Sequence, residues 1–114
     1  MEIKKLTFPD LSEDRQKVLF KFMAHPEVGV NYGTVFLKKG TRIPEEGVSR
    51  HPQHEISFVQ RGVIQMVDEQ DREVGMLRQG DIIYLQAMEA QAGYVLEDTR
   101  IIYMLIGTEH EKDQ

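Results

Sequence analysis

Apolar residues recur along this chain in short runs, and none keeps a helical period for long. From Glu55 to Gln60, Ile56 and Phe58 occupy one phase and Glu55, Ser57 and Val59 the other, the two-residue period of a strand. Similar short, β-rich runs lie at Val18 to Met23, Asn31 to Lys38, Val63 to Asp68, Glu73 to Arg78, Asp81 to Leu85, Tyr94 to Leu96 and Ile101 to Ile106. Glycines at 29, 33, 40, 47, 62, 75, 80, 93 and 107 fall within or between them. Short strands punctuated at this spacing predict an all-β sandwich or barrel, with Gly62 ending the strand that begins at Glu55. Leu11 to Lys17 is the only helix candidate, a turn or two capped by Asp10 or Ser12.

Two runs break the alternation. Ile82-Ile-Tyr-Leu85 and Ile101-Ile-Tyr-Met-Leu-Ile106 are apolar on both phases, so both faces of those strands need cover. A second sheet covers one face. A second copy of the chain is the expected cover for the other, which predicts a homodimer.

Composition narrows the function classes. A chain of 114 residues is expected to form a single domain. There is no cysteine, so no disulfide forms, as expected in a reducing compartment. A net charge of −5 argues against nucleic acid as partner. No apolar run reaches the length of a membrane span, and the start of the chain lacks the apolar core of a signal peptide. The expectation is a cytoplasmic protein with no membrane partner.

The candidate chemistry lies between Ser49 and Gly62. His51 and Glu55 stand at the entrance of a strand, and Pro52 between them rules out a helical i,i+4 pair. An imidazole and a carboxylate that converge at a strand mouth suit iron, manganese, nickel or zinc. They equally suit a polar cluster without metal. His54 is Glu55's neighbour and is expected to face the opposite side of the strand. His25 and His110 have no partner in sequence. No Ser-His-Asp arrangement, phosphate-cradling loop or basic aromatic patch is present.

These residues resemble the cupins, small β-barrels with two sequence motifs. The first motif runs glycine, five residues, His-x-His, three or four residues, glutamate, six residues, glycine. His51, Glu55 and Gly62 match its second half, Ser49 stands where the first histidine belongs, and Glu45 and Glu46 lie in a short insertion. The second motif runs glycine, five residues, Pro-x-Gly, two residues, histidine, three residues, asparagine. Gly80 opens it here, with Gln86, Met88, Gln91 and Val95 at the proline, glycine, histidine and asparagine places.

The resemblance covers about residues 30–106. It implies a double-stranded β-helix, or jelly-roll, barrel of two packed antiparallel sheets over residues 30–107, an N-terminal strand or arm at 1–29, and a polar tail at 108–114. It also implies a pocket containing Ser49, His51, Glu55, Ser57 and Gln91. The metal positions that survive are His51, Glu55 and Gln91, and Ser49 is too short and too weak a donor to replace an imidazole. A divalent ion (iron, manganese, nickel or zinc) is therefore expected to bind weakly or not at all. His51, Gln91, Ser57 and Ser49 are the expected partners of Glu55, and Met66, Met76, Met88 and Met104 are candidate apolar walls. The implied function is binding of a small polar molecule in the barrel. The alternative is a metal-dependent dioxygenase or isomerase using His51 and Glu55. A metal-free enzyme with either residue as general base ranks below both.

Overall fold

The computed structural model describes residues 1–10 and 15–108. Its regular elements are strands: β1 (Gln16–His25), β2 (Val28–Leu37), β3 (Arg42–Ile43), β4 (His54–Val67), β5 (Glu73–Arg78), β6 (Ile82–Leu85) and β7 (Ala92–Gly107). The helix expected over 11–17 lies partly outside the described residues, and Gln16 and Lys17 open β1 instead. His110 and the tail beyond residue 108 also lie outside them. Among the described residues no helix is long and apolar enough to cross a membrane.

Every ladder is antiparallel. The strand order is β1-β2-β7-β4-β5, with β3 added to β7 and β6 added to β4. Two long strands, β4 and β7, each serve two layers. Residues 54–59 of β4 pair with 101–106 of β7 and, on the other side, with β6; residues 63–67 pair with 92–97 of β7 and with β5. One layer is thus β1-β2-β7-β4-β6 and the other β3-β7-β4-β5, joined through the bends of β4 and β7. The core cluster of Leu37, Ile64 and Val95 sits between them.

The bend of β4 corrects the sequence reading of Gly62 as a strand end. The strand runs on through Gly62, and its register against β7 shifts repeatedly between Val59 and Ile64. Gly62 has φ 114°, and a Cβ there would overlap Thr99 and lie 2.7 Å from the Asp98 carbonyl oxygen. Only glycine lets β4 turn the corner this close to β7. The runs at Tyr94 to Leu96 and Ile101 to Ile106 are likewise one strand, bent around Asp98 and Thr99. Glycines 29, 33, 75, 93 and 107 lie within strands and do not separate them.

Side-chain phase along β4 sorts the faces. Ser57 and Val59 are buried, whereas Ile56 and Phe58 are 45% and 37% exposed. Directly paired residues share a face, so Glu55–Leu105, Ser57–Tyr103 and Val59–Ile101 all look inward. A cluster of Leu37, Ile64 and Val95, with Val35, Ile43, Met66, Leu77 and Ile101 packed against it, fills part of the space between the layers. Fully burying each large aliphatic side chain contributes about 2 kcal/mol. The outward rows are Tyr84–Ile56–Met104–Tyr32 and Ile82–Phe58–Ile102.

Candidate ligand-binding site

Between the two layers lies a cavity of about 570 Å³, within the range of small-molecule sites. All five pocket residues expected from the sequence line it: Ser49, His51, Glu55, Ser57 and Gln91. They come from distant parts of the chain, and backbone pairing brings them together. Ser49 and Gln91 form an isolated antiparallel bridge, each amide donating to the other's carbonyl at 2.9 Å. Two residues on, the Met88 amide donates to the His51 carbonyl at 2.6 Å. These bonds hold the 49–51 segment along the 88–91 segment at one end of the cavity, where His51 is exposed.

Glu55 and Ser57 enter from β4, and the Ser57 hydroxyl donates to Glu55 Oε2 at 2.8 Å. The expected pairing of His51 with Glu55 does not form: among the described residues no ion pair or hydrogen bond joins them. The Ser49 hydroxyl lies 3.5 Å from the Gln91 carbonyl oxygen, a distance at which little hydrogen-bond energy remains. Of the four methionines proposed as walls, Met66 lines the cavity and Met76, Met88 and Met104 do not. Most of the remaining wall is aliphatic, with Leu37, Ile43, Ile64, Leu77 and Ile83 among its residues.

Three polar lining residues escaped the sequence reading: Gln16, Gln53 and Tyr103. Gln16 Nε2 donates to the Tyr103 hydroxyl at 2.7 Å. Tyr103 lies in a run that reads as interface, yet it is only 4% exposed and faces inward. Gly33, its partner on β2, makes room for the ring, since a Cβ at 33 would sit 2.7 Å from the phenolic oxygen. The alternation of Ile101, Tyr103 and Leu105 was the available signal, but an apolar run on both phases hides it. His54 does face outward as expected, its Nδ1 2.7 Å from the Tyr84 hydroxyl and its ring stacked on Tyr84 at 6.0 Å.

A strut beside the cavity fixes the 44–47 loop. Arg42 donates to the carbonyls of Pro44 and Gly47 and pairs with Asp71 at 3.2 Å. The Tyr94 hydroxyl donates to the other Asp71 oxygen at 2.5 Å. The Tyr94 hydroxyl, helped by the Arg42 guanidinium, holds the Asp71 carboxyl below its usual range, against the opposing effect of burial.

Burial raises the Tyr103 phenol above its ordinary value of 10, and the negative charge of Glu55 acts the same way, while the bond donated by Gln16 opposes them. The fold therefore favours the neutral phenol. Above pH 10 the unfolded chain loses that proton first, so stability is complete below pH 10 and falls as the pH rises toward the folded-state value. Tyr103→Phe is expected to flatten this alkaline loss. The difference in phenolate absorbance between wild type and Tyr103→Phe should appear only above the ordinary tyrosine value or with unfolding. A difference that titrates at the ordinary value of 10 in the folded protein would contradict the assignment.

No family model and no curated protein sequence matches the chain. Solved structures do. The EutQ protein of Clostridium difficile is 20% identical with a TM-score of 0.59, over 82% of this chain and 68% of that one. An RmlC-like cupin with a double-stranded β-helix fold from Methanocaldococcus jannaschii is 16% identical with a TM-score of 0.54, over 99% and 97%. The fold is that of the cupins. Bacillus subtilis oxalate decarboxylase, a protein with Mn(II) centres, is 15% identical with a TM-score of 0.53, over 77% of this chain and 23% of that one.

Metal-binding members among cupin-fold proteins raise the question of whether this cavity fits an ion. A zinc-type centre takes three or four protein ligands. This cavity offers one imidazole from His51, one carboxylate from Glu55 and the amide of Gln91. Among the described residues no three His, Cys, Asp or Glu side chains gather into a metal-binding group. The donor set therefore does not fit the three-histidine, one-glutamate centre that the motif positions imply.

Proposed function

We propose that this cupin-fold chain binds a small molecule in its barrel without depending on a resident metal. The observation that supports this reading is the single carboxylate, Glu55, in a cavity whose walls are otherwise mainly aliphatic or neutral. A carboxylate in such surroundings needs a donor. Ser57 supplies one to Oε2, leaving acceptor capacity facing the cavity. The preferred ligand has a hydrogen-bond-donating head, a hydroxyl or an amine, directed at Glu55, and an apolar body against Leu37, Ile43, Ile64 and Leu77.

Screening small amines and alcohols by thermal shift, followed by calorimetry, tests the reading. Glu55→Gln preserves volume but removes the charge. It should weaken binding by about 10- to 100-fold, the worth of a hydrogen bond to a charged group. Titration with iron, manganese, nickel and zinc salts should show no site tighter than micromolar. A sub-micromolar site abolished by Glu55→Ala would overturn the proposal.

The alternative, a metal-dependent enzyme, draws on one observation: His51 and Glu55 line the same cavity. A substrate would then complete the coordination shell. Elemental analysis of freshly purified protein separates the two, because stoichiometric metal that disappears in Glu55→Ala supports the enzyme.

We further propose that the outward rows of the β1-β2-β7-β4-β6 layer meet a second copy of the chain. Ile82 and Tyr84 are 68% and 56% exposed beside Ile56 and Phe58, a contiguous apolar patch of the kind that marks interfaces. A two-fold contact sets the same patch against itself, so one substitution acts twice. Sedimentation should give twice the chain mass of 13.2 kDa. Phe58→Asp should give the monomer mass, and an unchanged dimer would exclude this face.

A further inference from the structure

A second cleft, of about 610 Å³, lies at the corner where β4 and β7 both bend, and it shares no lining residue with the barrel cavity. Four cationic side chains line it: Lys39, Arg61, Arg78 and Arg100. Arg61 and Arg100 are directly opposite each other across the β4–β7 ladder, and Arg100 is in turn opposite Phe36 on β2. Arg78 comes from β5, opposite Val63.

Like charges directly opposite in a ladder destabilise it. Here the arrangement stands without the usual remedy. The chain has 19 acidic residues against 14 Lys and Arg, yet among the described residues no carboxylate forms an ion pair with Arg61, Arg78 or Arg100. Two acids, Glu97 and Asp98, do line the cleft. Asp98 uses its Oδ1 to accept the Lys39 backbone amide at 2.9 Å, which ties the 38–40 turn to the β7 bend. The Arg100 guanidinium packs over the Phe8 ring, 5.3 Å from its centroid. The cleft carries four positive and two negative side chains in a protein of net charge −5.

From these observations we infer that the cleft is a binding site for a small, multiply charged oxyanion, a phosphorylated or polycarboxylated molecule, held between the Arg61 and Arg100 guanidiniums with Arg78 and Lys39 at its flanks. Planar guanidiniums present paired N–H donors that match phosphate and carboxylate oxygens. An oxyanion between Arg61 and Arg100 converts their repulsion into two attractive contacts. A nucleic-acid strand is disfavoured, because the overall negative charge and the Glu97 and Asp98 carboxylates repel an extended polyanion. The cleft is independent of the barrel cavity, so this inference stands whether or not the barrel ligand reading holds.

Calorimetry and thermal melts with pyrophosphate and with citrate, at fixed ionic strength, test it. The expected result is saturable one-to-one binding of at least one of the two and a rise in melting temperature; which one binds tighter separates a phosphorylated from a carboxylated ligand. Arg61→Gln and Arg100→Gln should each weaken binding roughly tenfold or more, as expected for loss of a bidentate charged contact. Each should also raise the melting temperature of the ligand-free protein, because the opposed charges are relieved. That opposite movement also shows that the variants fold. Arg61→Lys, which keeps the charge and loses the fork, should recover only part of the affinity. Glu55→Gln in the barrel should leave pyrophosphate binding unchanged. The inference is overturned if neither anion binds saturably, if Arg61→Gln leaves binding intact, or if a short RNA or DNA duplex binds more tightly than either anion.

Discussion

Gly62→Ala should cost the fold about 4 kcal/mol, a sum of backbone strain and overpacking of about 2 kcal/mol each. At φ 114° a side chain is strained wherever it points, and here it also points into Thr99 and the Asp98 carbonyl. For a chain of this length that loss lowers the melting temperature by about 15 °C, and it removes a large share of the ordinary stability of a small domain. Gly80→Ala is the control. Gly80 has φ 92° but nothing within 4 Å of the added Cβ, so it carries strain without contact and should cost about half as much. Urea unfolding of the two variants measures the difference. If Gly62→Ala proves no worse than Gly80→Ala, the close approach of β4 and β7 at the corner is not what fixes the glycine.

The same residue shows what the sequence does and does not encode openly. The alternation from Glu55 to Gln60 is visible because one phase is buried and the other is not, and the structure follows it. Gly62 is visible as a special backbone position, but a glycine at positive φ serves a chain reversal and a bulge equally well. Only the β7 partner decides between them, and β7 lies more than thirty residues away. The splitting of β7 has the same origin: Glu97, Asp98 and Thr99 fall in the polar gap between two apolar runs, whereas they belong to one bent strand. Two-residue β3 has too little sequence to carry a period at all.

Site legibility divides along similar lines. His51, Glu55 and Ser57 are close in sequence and stand out as polar residues at a strand entrance. Gln91 reached the candidate set only through motif spacing, and the Ser49–Gln91 bridge is what places it on the cavity. Tyr103 and Gln16 went unread for physical reasons. Tyr103 sits in a run apolar on both phases, where either face can be inward. Gln16 sits where the pattern resembled a helix, yet it lies on β1 and reaches the Tyr103 hydroxyl. Long-range pairing, which local patterning does not report, decides both.

Ser49→His together with Gln91→His should raise affinity for nickel and zinc by roughly a thousandfold or more, because two imidazoles are added to a site that now offers one. The geometry favours this gain. Ser49 and Gln91 exchange both backbone hydrogen bonds, so their side chains leave the same face of the bridge at a separation of about 5 Å. His51 and Glu55 line the same cavity. The double variant would then present three imidazoles and one carboxylate, a set that binds a divalent ion as a closed group. Because the ion binds the folded form, saturating nickel should also raise the melting temperature of the variant and leave the wild type nearly unmoved. Either single substitution should recover only part of the effect, and Glu55→Gln in the double variant should reverse much of it. A folded double variant that binds no tighter than wild type would mean that the four positions do not converge on one point. The weakness of the natural site toward metal would then lie in its backbone geometry and not in the loss of two histidines. A gain of the expected size would instead assign that weakness to the serine and the glutamine, which is the premise of a barrel that holds its ligand through Glu55 alone.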